Sequence, residues 1–397
     1  MLVGMNPVGL RELNLGIIFR TIQTLGPLSQ TDIVQRTNLA PSTVSVITGE
    51  LRDQRLIRST GTIASSGGRR RVLLEVNPEG GCFICVDLVG TQMAIGVLDL
   101  TFAVLEEWHF EMRDTGELLY QVVVQSIQSV VEQCSALALN ILGIGVAAPG
   151  LLDAETGVIV EADNLGWYEL HLAERLEQTF GVKTVVEHDV NAAAYGEYLY
   201  GQSEGIRNMM YVSIGLGIGC GLILDGHLFS GSQGLAGELG HVMVDPDGSA
   251  CLCGKRGCLE TLASGKAIAL EYQKQAQYMR NVSDVAVAEV YDARDVVTRA
   301  QAGDTLAQSV VDKAGGAVGV ALGNQINVLN VDRIILGGNL VNSSSHFLGA
   351  IRKGIDQALL PRLRDHVQIH TSSLGLSSGF VGIAFLCFGK LFTAVNI

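Results

Sequence analysis

His241 is followed after nine residues by Cys251, then by Cys253 and, after four more, by Cys258. One imidazole and three thiolates are the donor set of a tetrahedral Cys3His zinc site, and Gly254 and Gly257 can turn the chain tightly between the ligands. The protein fills all four positions, so a bound Zn2+ is expected to be structural rather than catalytic. The competing reading, incidental loop thiols, fits poorly with three of the eight cysteines falling within eight residues beside a histidine. Glu238 and Glu260 flank the set.

Three glycine-rich turns follow apolar, β-branched runs. Residues 82–98 read as strand, turn and strand, and Asp87, Leu88, Val89, Gly90 and Thr91 form a candidate phosphate-cradling turn. The second turn carries Gly215, Gly217, Gly219 and Gly221, and the third is Gly337-Gly338-Asn339. Any one of them can be a structural hairpin; three at separate strand ends suggest a nucleotide cleft between two lobes. Asn164 lies in an Asn-Leu-Gly-Trp loop, and Asp189 follows a strand at 183–187. A carboxylate at a strand end can orient a sugar hydroxyl or take its proton. Taken singly, both residues are more often turn or cap residues.

The first 76 residues read as a separate module. Leu13, Ile17, Ile18, Ile22 and Leu25 recur at helical spacing, and Gly26-Pro27 ends that helix. Ser29 stands three residues before Asp32, a capping-box-like start for a short helix to about Thr37. Pro41 suits the first position of a third helix, in which Val44, Ile47 and Leu51 share a face. Two short helices joined by a tight turn match a helix-turn-helix, with Ser42, Thr43, Ser45 and Thr48 as candidate DNA contacts. Strands at 56–58 and 71–76, joined by a Ser/Gly loop, read as a β-hairpin wing that places Arg69, Arg70 and Arg71 for phosphates or a narrow minor groove. The alternative is a three-helix packing domain with a solvated charge run.

The charge distribution supports the DNA reading. Across 397 residues the net charge is −13, which argues against a nucleic-acid partner if it is evenly spread. Residues 1–75, however, hold nine arginines, no lysine and five acids, so this segment carries +4 and the remainder −17. With 48% hydrophobic and 17% charged residues the chain is not disordered, and its length suits two or three domains. The 48 glycines imply many tight turns. No signal-peptide pattern opens the sequence, and the longest apolar stretch, 379–389, is too short for a bilayer at about 20 residues. Reduced cysteines and a cytoplasmic location without membrane contact are therefore expected.

The motif Glu238-x-Gly240-His241 with Cys251-x-Cys253-Gly254-x-x-Gly257-Cys258-x-Glu260 resembles the ROK family (repressor, open reading frame, kinase), and the likeness covers about residues 10–397. The resemblance implies an α/β, two-lobed sugar kinase/actin-like (ribonuclease H-like) body at 77–397, behind a winged helix-turn-helix at 1–76. Lobe one would take about 77–190 plus the C-terminal helix, and lobe two about 191–375. It also implies that zinc shapes the sugar pocket and that Asn164, Asp189, Glu238, His241 and Glu260 hold the sugar. Asp189 stands at the position of the catalytic base in kinase members. The N-terminal module resembles the repressor branch, which regulates xylose, glucose and N-acetylglucosamine genes.

The nucleotide half departs from the kinase pattern. Val89 stands where a glycine is usual, Leu216 where a threonine is usual, and His188 where an asparagine precedes the aspartate. A β-branched side chain at 89 would crowd the approach of a phosphate to the backbone. Asp87, Gly90, Thr91, Gly215, Gly217, Gly219, Gly337 and Gly338 would form a weakened or vestigial nucleotide set. The expected function is a sugar-responsive transcriptional regulator, most simply a repressor. Its partners would be operator DNA and a sugar or sugar phosphate, and it would act as a homodimer or homotetramer. The stretches at 310–329 and 379–391 are amphipathic but are better read as core-packing helices. The alternative is an ATP- and Mg2+-dependent hexose or aminosugar kinase with an accessory DNA-binding domain and Asp189 as base.

Overall fold

The computed structural model describes residues 7–63, 70–90, 92–201, 203, 205–281, 292–375 and 377–392. Arg69 and Thr91, candidate DNA and nucleotide residues, lie outside them, as does most of the Ser/Gly loop. The chain divides into two compact units, Met1–Ala192 with Phe380–Ile397, and Ala193–Gly379.

The first unit opens with the helix α1 (Pro7–Leu25), the short strand β1 (Leu28–Ser29), α2 (Gln30–Thr37), α3 (Pro41–Asp53) and the strands β2 (Ile57–Ile63) and β3 (Arg71–Val76). The α1 helix begins earlier than its apolar pattern, with Pro7 at its first position. The expected cap forms: the Ser29 side chain accepts from the Asp32 N–H, and the Asp32 carboxylate accepts from the Ser29 N–H at 2.9 Å. Asn38 ends α2 in the left-handed conformation at φ 55°, and Pro41 occupies the first turn of α3. The β2 and β3 strands pair antiparallel, with Ile57 opposite Val76 and Ile63 opposite Arg71.

The body of this unit follows with β4 (Cys82–Val89), β5 (Gln92–Asp99), β6 (Val104–Glu111), α4 (Gly116–Ala136) and β7 (Ile141–Ala148). Next come β8 (Leu151–Asp153), β9 (Val158–Ala162), β10 (Trp167–Leu170), α5 (Leu172–Phe180), β11 (Thr184–His188) and α6 (Asp189–Tyr200), within which the unit ends. Its main sheet has the order β11-β7-β4-β5-β6. The first five residues of β4 are buried, as a central strand covered on both faces requires. Leu119, Val123, Ile127 and Val130 of α4 pack into the same core.

The second unit contains β12 (Met209–Ile214), β13 (Ile218–Leu224), β14 (His227–Leu228), a long loop and α7 (Glu260–Ala263). It continues through α8 (Gly265–Asn281), α9 (Ala293–Gln301), α10 (Thr305–Leu329), β15 (Arg333–Gly337), α11 (Ser345–Ala358) and β16 (Gln368–Thr371). The last helix, α12 (Ser377–Phe392), returns the chain to the first unit. The second sheet has the order β14-β13-β12-β15-β16. Both sheets therefore share one plan: a central strand with an antiparallel meander on one side and two parallel strands on the other.

The stretch at 310–329 packs inside the second unit. A Cβ at Gly319 of α10 would lie 2.1 Å from the Ile351 carbonyl oxygen of α11, so these helices approach at a distance only glycine permits. The stretch at 379–391 lies in α12, where Phe380, Ile383, Ala384, Cys387 and Phe388 are buried.

Candidate metal centre, carboxylate sites and DNA-reading helix

The loop between β14 and α7 gathers His241, Cys251, Cys253 and Cys258 so that one ligand atom from each lies within 4.8 Å of the others. Cys251 Sγ is 3.6 Å from His241 Nδ1, and Cys253 Sγ is 3.6 Å from Cys258 Sγ. A tetrahedron with metal–sulfur bonds near 2.3 Å has edges of about 3.8 Å, so the four donors fit a zinc-sized ion. Local backbone builds the cage. Gly257 sits at φ +66°, and a Cβ there would lie 1.5 Å from the Asp245 carbonyl oxygen, so no other residue fits. Isolated bridges pair Met243 with Cys258 and Ala250 with Arg256. The Lys255 backbone N–H lowers the Cys253 thiol, whereas burial raises Cys258 to about 12. A bound cation would supply the charge that keeps the buried sulfur as thiolate.

Two carboxylates are tied to this loop. Glu238 Oε2 lies 3.8 Å from His241 Nε2, on the far side of the ring from Nδ1, an ion-pair distance longer than a hydrogen bond. Glu260 opens α7 two residues after Cys258, and its Oε2 accepts the Ile218 N–H at 3.1 Å. Gly217 clears space for it, since a Cβ there would lie 2.7 Å from that oxygen. Glu238, His241 and Glu260 thus belong to one loop system of the second unit.

Asn164 and Asp189 belong to the first unit. Asn164 is exposed in the turn between β9 and β10. Asp189 heads α6, where its Oδ1 accepts the Val190 N–H at 2.8 Å and lies 3.1 Å from His188 Nδ1. Burial pushes this carboxyl up, but the His188 charge and the hydrogen bonds outweigh it and hold Asp189 below its ordinary value. Asp87 behaves oppositely. The residue is half-buried but its Oδ1 is buried and unpartnered, and burial, then the charges of Asp189 and Glu107, push the carboxyl well up. The two carboxyls are thus shifted in opposite directions.

The candidate nucleotide turns are partly reassigned. Asp87, Leu88 and Val89 lie in β4, so the turn begins only at Gly90, with φ +65°. The expected turn at Asp87–Thr91 is shortened at its start because β4 stays paired with β5 through Val89. Val89 is 52% exposed at the strand end, and Leu216 is exposed at the β12–β13 tip. Gly215 and Gly217 form that tip and Gly219 lies in β13. Gly337 and Gly338 have an internal reason to be glycine: a Cβ would lie 2.2 Å from the Tyr211 hydroxyl or the Ile214 carbonyl respectively. They need no nucleotide to explain them.

On α3, Val44, Ile47 and Leu51 are buried as the pattern predicts. Thr48 is a correction. It is buried, donates to the Val44 carbonyl at 2.7 Å and accepts from Gln30 Nε2 at 2.7 Å, so it joins α3 to α2 and does not face outward. A hydroxyl four residues after Val44 falls on the inner stripe, which its polarity disguised. Ser42 and Ser45 are exposed and Thr43 is half-buried. Arg70 is exposed and Arg71 half-buried at the start of β3. Arg58 is engaged with Glu75 at 2.8 Å. The sequence reading also missed Glu197, fully buried on α6, which accepts from the Ser372 and Ser373 hydroxyls and the Leu374 N–H. An acid within an alanine-rich helix was its only signal.

Two α/β units of one topology, one bearing a Cys3His loop and the other led by a three-helix and hairpin module, define the class: a sugar kinase/actin-like fold with a DNA-binding-type head. The ROK family profile matches residues 83–390, and the chain belongs to the ROK family. It is 29% identical over 376 residues to the xylose repressor of Bacillus spizizenii, covering 94% of each chain. Its structure matches a crystal structure of a ROK family transcriptional regulator, a homolog of the E. coli MLC protein, with TM-score 0.85, 28% identity and 97% of both chains covered. A ROK glucokinase from Streptomyces griseus, in complex with glucose and AMPPNP, matches with TM-score 0.68 and 30% identity, covering 77% of this chain and 98% of that one.

Proposed function

We propose that this chain is a sugar-responsive transcriptional repressor, in which a winged helix-turn-helix at residues 1–76 binds operator DNA and the body at 77–397 binds a sugar or sugar phosphate. The observation that carries the reading is coverage: the repressor and regulator relatives match 94% and 97% of this chain, whereas the glucokinase matches 77%. The family profile begins only at residue 83, after the arginine-rich module.

Asn164, Asp189, Glu238, His241 and Glu260 hold the sugar, as the family resemblance implies. His241, Cys251, Cys253 and Cys258 would hold Zn2+, which would crosslink the loop that carries Glu238 and Glu260. Glu238 lies beside the His241 ring, and Glu260 is braced by the Ile218 N–H. Ser42, Thr43, Ser45, Arg69, Arg70 and Arg71 face DNA. The protein works in the cytoplasm as a homodimer or homotetramer, which lets two reading helices meet half-sites about 34–36 Å apart. Sugar shifts DNA affinity only to the extent that it binds the DNA-competent and DNA-free arrangements unequally.

The test uses the full-length protein and duplexes enriched from a randomised library, with binding read by fluorescence anisotropy against xylose, glucose, N-acetylglucosamine and their phosphates. One sugar should weaken binding. Failure to enrich any duplex sinks the DNA reading, and indifference to every sugar sinks the sensor reading. Cys253→Ser should lower the metal content after chelator dialysis and abolish the sugar response; undiminished zinc would contradict the four-ligand set.

A second reading, a sugar kinase using ATP and Mg2+, draws on Asp189, which the family resemblance puts at the catalytic-base position and whose carboxyl is held below its ordinary value. Val89 and Leu216 at the phosphate turns count against it. Sugar phosphorylation abolished by Asp189→Asn would establish it.

A further inference from the structure

Ser42, Ser45 and Val46 of α3 are exposed on one stripe, which the half-buried Gly49 continues. Ser42, Ser45, Val46 and Gly49 are spaced by three, one and three residues, and none is among the buried residues of that helix. Val46 is 58% exposed, an apolar β-branched side chain in the middle of a helix whose other face is well packed. Gly49 weakens a helix relative to alanine, yet neither packing nor backbone demands it: a Cβ there would meet nothing within 4 Å, and its φ is not positive. Both residues are costly for an isolated module and fit a helix whose outer face is covered by something that approaches closely.

From Ser42 to Gly49 the stripe lacks arginine, lysine, asparagine and glutamine, the side chains that read guanine or adenine with paired hydrogen bonds; Arg52 and Asp53 continue it only at the C-terminal end of α3. It offers two hydroxyls, one branched apolar group and a bare stretch of backbone. In the major groove the apolar feature of a base edge is the thymine C5-methyl, and apolar side chains read it by contact.

Building on the DNA-binding reading above, we infer that α3 selects thymine: Val46 packs on a thymine methyl in the major groove, and Gly49 lets the helix backbone come close to the adjacent sugar-phosphate edge. Ser42 and Ser45 add hydrogen bonds that either base-pair orientation satisfies. Val46 is thus the specificity-determining residue, and the arginines beyond residues 42–49 supply sequence-independent affinity.

The experiment replaces each thymine of the enriched duplex, one at a time, with deoxyuridine, which removes only the 5-methyl group. Wild-type affinity should fall roughly fourfold at one or two positions per half-site, the worth of one buried methyl. Val46→Ala, with an unchanged melting temperature, should bind more weakly and be indifferent to the same replacements. Gly49→Ala should raise the melting temperature while lowering DNA affinity about tenfold, a combination that loss of fold cannot produce. Indifference of the wild type to every deoxyuridine overturns the inference while leaving DNA binding intact. So does a Val46→Ala protein that keeps the full methyl sensitivity, or one that changes only self-association in sedimentation. If no duplex is enriched at all, the DNA reading itself fails and this inference with it.

Discussion

At the residue scale, the pair Asp87 and Asp189 shows how strongly surroundings separate two identical side chains. Asp189 has a hydrogen-bonded, cationic environment, whereas Asp87 has a dry one with Oδ1 unpartnered. The folded protein therefore holds a proton on Asp87 at a pH where the unfolded chain has released it. Because the folded state binds more protons, stability contributed at Asp87 is intact below about pH 4 and falls as pH rises toward the elevated folded value. Asp87→Asn removes that liability. At neutral pH it should raise unfolding stability by roughly 1–3 kcal/mol, and at pH 4 the gain should shrink toward zero. Urea midpoints at the two pH values check this, and a gain that did not depend on pH would place the Asp87 penalty elsewhere.

At the element scale, α1 is the seat of the N-terminal module. Phe19 of α1 stacks on Phe388 of α12, with ring centroids 4.0 Å apart, and Phe83 and Phe102 meet Phe388 edge-on. Arg20 lies over the Phe385 ring at 5.6 Å, and Gln23 donates to the Leu100 carbonyl at 3.1 Å. Phe388→Ala should cost about 3–5 kcal/mol and speed amide exchange along α1, measured by denaturation and hydrogen exchange. Unchanged exchange in α1 would mean the module is held by other contacts. The helices here were legible before the fold was known because their punctuation is local: Pro41, the Ser29–Asp32 cap and Gly26-Pro27 act within a few residues. The metal loop was legible for the same reason, since spacing alone defines it. What stayed hidden depends on distant partners. The partner that accommodates the hydroxyl of the inner residue Thr48 is Gln30 of another helix, and Gly217 is explained only by Glu260, far along the chain. The strand character of Asp87 likewise follows from its pairing with Ala94 and Ala147 on flanking strands.

At the scale of the whole molecule, the net charge of −13 describes neither part of the chain. An acidic body repels the phosphate backbone, so non-specific binding is suppressed unless the arginine-bearing module is docked, and docking should depend steeply on salt. Arg70 is exposed and free to reach a phosphate, whereas Arg58 is neutralised by Glu75. Arg70→Ala should reduce the slope of log affinity against log salt by about 1 and weaken operator and scrambled duplexes alike. An unchanged slope would remove the β2–β3 hairpin from the interface. The same titration constrains the switch. Sugar and DNA act on one equilibrium, so the factor by which a saturating sugar weakens DNA binding must equal the factor by which saturating operator weakens sugar binding. Arg70→Ala should shift the DNA affinity on which that factor acts but leave the factor itself unchanged, because a phosphate contact tells nothing about which arrangement the sugar prefers. Paired anisotropy and calorimetric titrations on wild type and variant measure both ratios, and a coupling factor that moved with Arg70 would make the hairpin part of the switch rather than part of the grip.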